Sequence, residues 1–122
     1  MFGLIAACSN NANNSSSSDS SATAVASAND ITANPDYKKG LALIAANDCL
    51  TCHKVDEKVT GPAYRDVANK YENTDANVKM LAQKVIKGGS GNWGTVPMTP
   101  HPALSEADAE QMVKYVLLLR NK

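Results

Sequence analysis

Residues 49–53 read C-L-T-C-H, which puts two of the chain's three cysteines and one of its two histidines within five positions. Two thiols and an imidazole this close suit three chemistries: a zinc site, a dithiol–disulfide couple, or a covalently held haem. The remainder of the chain decides between them by the partners it supplies.

Structural zinc needs four ligands, usually completed by a second C-x-x-C or a pair of histidines. Beyond the motif the same part of the chain offers only His101, so the shell stays incomplete. A thioredoxin-type C-x-x-C works at an electropositive helix N-terminus in a βαβ setting. No strand pattern is present to build one. C-x-x-C-H does meet the demands of haem. Cys49 and Cys52 can form thioethers with the two vinyl groups of one porphyrin, and the adjacent His53 can bind its iron from the same side. Covalent attachment also suits a domain too small to grip a cofactor by burial alone.

With 122 residues the chain has room for one small domain. Its formal net charge of zero gives nucleic acid no electrostatic footing. No run of about 20 apolar residues is available to span a membrane. Residues 1–8, M-F-G-L-I-A-A-C, end in Ile5-Ala6-Ala7-Cys8, which resembles the lipobox of bacterial lipoprotein signals. The stretch departs from such a signal, since the apolar run is much too short and no basic segment precedes it; it is read as a truncated signal remnant, against a chance match. Cys8 is then a candidate for lipid attachment; the plainer alternative is a frayed N-terminus with a free thiol. Residues 9–34 are Ser, Asn and Ala of low complexity. They cannot bury enough apolar surface to offset their ordering entropy, so they are expected to form a disordered tether spanning roughly 25–30 Å.

From residue 35 to 122 the pattern is that of a folded domain. Asn34-Pro35 is a cap followed by a proline at the first helical position. Tyr37, Leu41, Ile44 and Ala45 then recur at helical spacing, predicting a helix to about Asp48. A short helix is expected over 63–71. Another starts near Thr74-Asp75, carries Val78, Leu81, Ala82, Val85 and Ile86 on one stripe, and stops at Gly88-Gly89. Ser105, with Asp108 three residues on, opens a last helix buried through Met112, Val113, Val116 and Leu117. Residues 88–103 hold four glycines and three prolines, which predicts one long irregular loop and no strand. The expected class is all-α.

A haem with one histidine has a further axial position. Closure by methionine favours reduced iron and electron transfer, whereas an open position admits oxygen or peroxide chemistry. Met98, stiffened by prolines in V-P-M-T-P, is the candidate for closure. Met80 and Met112 compete by residue type but fall within predicted helices, and Met112 belongs to an apolar stripe.

With C-L-T-C-H, then G-P-A-Y at 61–64, then G-N-W-G-T-V-P-M-T-P at 91–100, residues 35–122 resemble a small bacterial class I cytochrome c. The resemblance implies a fold of about four helices around one covalently bound haem c, with His53 and Met98 as axial ligands and a long Met-bearing loop. Pro62 then supplies the carbonyl that accepts the His53 Nδ1–H and orients the ring. Trp93 matches a residue whose indole N–H meets a haem propionate, against the alternative of core filler. Lys84 falls near a propionate or is an ordinary solvated lysine. Gly40 and Tyr115 occupy the crossing of the first and last helices. One departure stands out: relatives often carry Asn three residues after the methionine, reaching its sulfur, where this chain has His101 between two prolines. The default reading of His101 is a surface histidine.

The function so implied is a one-electron carrier, not an enzyme, working as a monomer between electron-donor and electron-acceptor redox proteins of a respiratory chain outside the cytoplasm. The alternative is a haem enzyme or gas sensor with a labile sixth ligand. All 12 basic residues but only 10 of the 12 acids fall within 35–122, Asp19 and Asp30 lying in the tether. The resulting balance of about +2 steers only weakly toward acidic partners. Lys54 and Lys58 flank the attachment motif, as a docking contact or as a solvated face.

Overall fold

A computed structural model describes residues 30–122. Cys8, the lipobox and the tether up to residue 29 lie outside the described residues. The last residues expected to be tether are folded: Ile31–Ala33 form a 3-10 turn capped by Asp30, and Ile31 packs on the core.

Helix α1 is Pro35–Ala45, started by Asn34, whose Oδ1 accepts the Asp36 N–H at 2.8 Å. It ends three residues short of Asp48, where the Asn47 side chain donates to the Leu43 carbonyl at 2.8 Å. A single turn, α2, follows at Cys49–Cys52. Then come α3, Tyr64–Lys70, and α4, Asp75–Lys87, the latter capped by Thr74 Oγ1 on the Asn77 N–H. Strands β1, Gly89–Gly91, and β2, Gly94–Met98, form an antiparallel hairpin, and α5, Glu106–Leu118, closes the chain. Ser105 Oγ accepts the Asp108 N–H at 3.1 Å, which supplies one half of the capping box. Among the described residues no helix is long and apolar enough to cross a membrane.

The hairpin corrects the expectation of an irregular loop without strands. Gly89, Gly91 and Gly94 all take positive φ, a backbone region that side chains other than glycine's resist, and this lets three and five residues pair around Asn92-Trp93. The glycines that argued against regular structure are what make the tight return possible. Proline is tolerated in β2 because the strand is exposed.

Helix α1 crosses α5 at Gly40. A Cβ there would lie 2.6 Å from the Gln111 carbonyl oxygen and against Tyr115, so only glycine permits the approach. Tyr37 and Tyr115 meet edge-on with centroids 5.0 Å apart, and Gln111 Nε2 donates to Asp36 Oδ1 at 3.1 Å. Helices α3 and α4 pack on other faces of α5.

The core is divided. One cluster gathers Ile44, Tyr64, Ala68, Met112, Tyr115, Val116 and Leu119 around α1, α3 and α5. The other joins Val78 and Ala82 of α4 to Ala109, Val113 and Leu117 of α5. Between them lies a cavity.

Candidate haem site

Backbone hydrogen bonds fold the segment after the C-L-T-C-H turn back over it. Gly61 N–H donates to the Cys52 carbonyl at 2.8 Å, Tyr64 N–H to Lys54 at 2.9 Å and Arg65 N–H to Val55 at 3.0 Å. That return brings the Pro62 carbonyl 2.8 Å from His53 Nδ1. A carbonyl only accepts, so Nδ1 carries a proton, and in the neutral ring the lone pair is on Nε2. The ring also lies stacked on Tyr64 at a centroid distance of 5.0 Å and an interplanar angle of 20°. Gly61 makes room for it, since a Cβ at that position would sit 2.5 Å from His53 Cε1 and 2.9 Å from Nδ1. The imidazole is thus fixed in tautomer, tilt and depth before any metal is considered.

The cavity measures about 240 Å³ and is lined by all six predicted site residues: Cys49, Cys52, His53, Pro62, Trp93 and Met98. Its walls draw on both core clusters, with Ile44 and Val116 from one and Val113 from the other. Leu81 and Val85 add apolar surface from α4. Cys49 and Cys52 are half-buried and unpaired. Burial, and then the Asp48 carboxylate, push the Cys49 thiol above its ordinary pKa. A dithiol redox couple needs the opposite, a thiolate favoured by positive potential. Among the described residues no group of three or more His, Cys, Asp and Glu is assembled that could hold zinc. The tyrosine beneath the histidine is likewise no acid: burial, then Cys49, push the Tyr64 phenol well above its usual range.

The competing methionines separate by position. Met80 is 46% exposed and does not reach the cavity. Met112 does reach it, but from the middle of α5, buried in the core cluster with Ile44 and Tyr115. Met98 stands half-buried at the end of β2. Trp93 belongs to neither core cluster. It sits at the hairpin turn with Lys70 Nζ 4.6 Å from its ring, in a cation–π contact. Lys84 also lines the cavity.

The apolar space between two half-cores, the paired cysteines and the proton-directed histidine fit a haem. The profile described as Cytochrome c matches residues 37–120. The chain belongs to the cytochrome c family. This cytochrome is 42% identical over 78 residues to cytochrome c-552 of Nitrosomonas europaea, covering 64% of this chain and 76% of that one. It is 40% identical over 87 residues to cytochrome c-551 of Allochromatium vinosum, covering 71% and 93%. The crystal structure of wild-type Nitrosomonas europaea cytochrome c552 superposes with a TM-score of 0.61 at 42% identity, over 65% of this chain and 98% of that one. The fold is therefore that of the small class I monohaem cytochromes c, with one covalently attached haem c and electron transfer as the general function. The expected all-α class holds for it, with five α-helices and the small hairpin among the described residues.

Three contributions to this cytochrome's site escaped the sequence reading. Gly61 and Tyr64 belong to the G-P-A-Y motif, but the sequence assigned neither a role toward His53. The third is His101, expected at the surface: its side chain is only 17% exposed, it lines the cavity, and Nε2 pairs with Asp48 Oδ1 at 2.7 Å. Its proline neighbours and the bonds from its N–H to the Val85 and Ile86 carbonyls turn it inward. The other ring nitrogen, Nδ1, is buried with no hydrogen-bond partner in the chain. An orphaned polar atom on a cavity-lining residue is consistent with a site meant to hold a polar-edged cofactor.

Proposed function

We propose that this cytochrome is a one-electron carrier between donor and acceptor redox proteins on the outer side of a bacterial cytoplasmic membrane, with its haem iron held between His53 and Met98. Haem supplies the one-electron couple when bound. Cys49 and Cys52 anchor it by thioethers; His53 gives its Nε2 lone pair while the Pro62 carbonyl, 2.8 Å from Nδ1, keeps the ring oriented and strengthens it as a donor. Met98 would supply the second protein ligand to the iron, which would favour the ferrous state and leave no open position for a substrate. Trp93 and Lys84 line the cavity from the hairpin and from α4, and they would meet the propionates of the bound haem.

One observation carries the reading: His53 and Met98 line the same cavity from separate segments of chain, with apolar walls between. Oxidised protein should show the weak far-red band of sulfur-to-iron ligation. Met98→Ala should abolish that band, lower the potential and let ferrous protein bind carbon monoxide. A spectrum indifferent to Met98→Ala, or ready carbon monoxide binding by the unaltered protein, would point to an enzyme or gas sensor instead.

Location is part of the same proposal. Cys8, following Ile5-Ala6-Ala7, carries lipid and holds the domain at the end of its Ser/Asn/Ala segment. Expressed behind a complete signal, the protein should sediment with membranes and Cys8→Ser should release it. An unmodified Cys8 in soluble native protein would make it a free periplasmic carrier.

A further inference from the structure

His101 has no task in the carrier as described, yet its backbone and its ring are both bonded to other segments of the chain. Three residues past Met98, its N–H is shared between the Val85 and Ile86 carbonyls at 3.2 and 3.0 Å, and its carbonyl accepts the Leu104 N–H at 3.1 Å. Its Nε2–H reaches 53 positions back to Asp48 Oδ1 at 2.7 Å. Asp48 stands at the N-cap of α2, directly before Cys49, but its side chain makes no capping bond to that turn. The carboxylate serves the loop in place of its own helix.

We propose that the His101–Asp48 pair is a clasp that fastens the Met98 loop to the haem-attachment turn and so keeps Met98 in the sixth position. Both are positioning residues, and the proposal rests on Met98 being the ligand. Apart from the His101 backbone bonds to α4 and the Lys70 contacts at the hairpin turn, no side-chain bond or backbone bond to a helix holds residues 89–100 of that loop among the described residues. Its strands are three and five residues long with an irregular register between Gly89 and Gly91, and Val96 is 59% exposed. The clasp joins the two segments that bear opposite axial ligands, since α2 runs straight into His53. Its histidine end is well shielded, though Asp48 is 69% exposed, so solvent screens part of the attraction. The His101 hydrogen bond, outweighing desolvation, holds the Asp48 carboxyl below its ordinary range, as a bond to the charged form should. No other charged side chain forms a salt bridge with either group among the described residues.

Imidazole added to ferric holoprotein can enter only when Met98 leaves, so its affinity reports how firmly the loop is closed. His101→Ala and Asp48→Ala should each raise that affinity roughly three- to tenfold, as expected for a hydrogen bond to a partly screened charge. The double variant should gain no more than either single, because both remove one interaction. Asp48→Asn, which keeps an oxygen acceptor, should stay near the unaltered protein. Unchanged affinity in the singles, effects that multiply in the double, or a fall in affinity as if His101 had taken the iron, would each overturn the clasp. Amide exchange over residues 95–104 reads the clasp without regard to the ligand: it should quicken in Asp48→Ala, and an unchanged rate overturns the proposal. Absence of the far-red band in the unaltered protein overturns the ligand assignment instead.

Discussion

The two sides of the haem cavity are built by different means. On the His53 side, the chain folds back on the attachment turn and the two residues after His53 through backbone bonds from Gly61, Tyr64 and Arg65, and the imidazole is gripped by Pro62, Tyr64 and Gly61. On the Met98 side, a short exposed hairpin carries the residue, anchored at its turn by Lys70 and beyond Met98 by His101. His53 is backed by the core through Tyr64, whereas Met98 hangs on a strap. Opening free energies differ within a fold in just this way, and weakly packed segments open first. In the proposed carrier the fixed side would secure the cofactor, while the strap could adjust coordination by Met98 without unfolding the domain.

The largest effect that would test this contrast is expected from Gly61→Ala. Its Cβ would fall 2.5 Å from His53 Cε1, against a ring already backed by Tyr64. The ring must move, straining the core and loosening the Pro62 bond, for a combined cost of about 2–4 kcal/mol in denaturant unfolding of the haem-loaded protein. Met98→Ala ranks below it in stability, despite its stronger effect on spectrum and potential, because the strap contributes little to the core. Were Met98→Ala the more destabilising of the two, the division into a rigid side and an adjustable side would be wrong.

Which parts of this were legible beforehand follows the same division. The caps at Asn34, Thr74 and Ser105 and the motif C-L-T-C-H are local signals, and each lies where the sequence placed it. Met98 and Trp93 were singled out as well, by an unusual residue type within a proline- and glycine-rich run. The hairpin was not, because a three-residue strand has no readable alternation, and glycine at positive φ looks in sequence like any other glycine. The turn at Cys49–Cys52 is too short to show a helical period. The His101–Asp48 bond links residues 53 apart, and a lone histidine and aspartate make no pattern until the fold brings them together. Gly61 becomes intelligible only once the His53 ring occupies its place.

The smallest effect expected is also the sharpest probe of how the rigid side works. Pro62 acts on His53 through its backbone carbonyl, which any residue supplies, so Pro62→Ala should leave the 2.8 Å bond in place. What the substitution removes is the ring's restriction of the unfolded chain, a loss of about 0.4–1 kcal/mol. The segment's own backbone bonds, from Gly61 to Cys52 and from Tyr64 to Lys54, hold the carbonyl in position without the proline ring. Unfolding of the holoprotein should therefore shift slightly while the reduction potential and the far-red band stay where they were. If the potential moved with Pro62→Ala, the carbonyl would depend on the pyrrolidine for its aim, and the stitching by Gly61 and Tyr64 would not be what makes this side rigid.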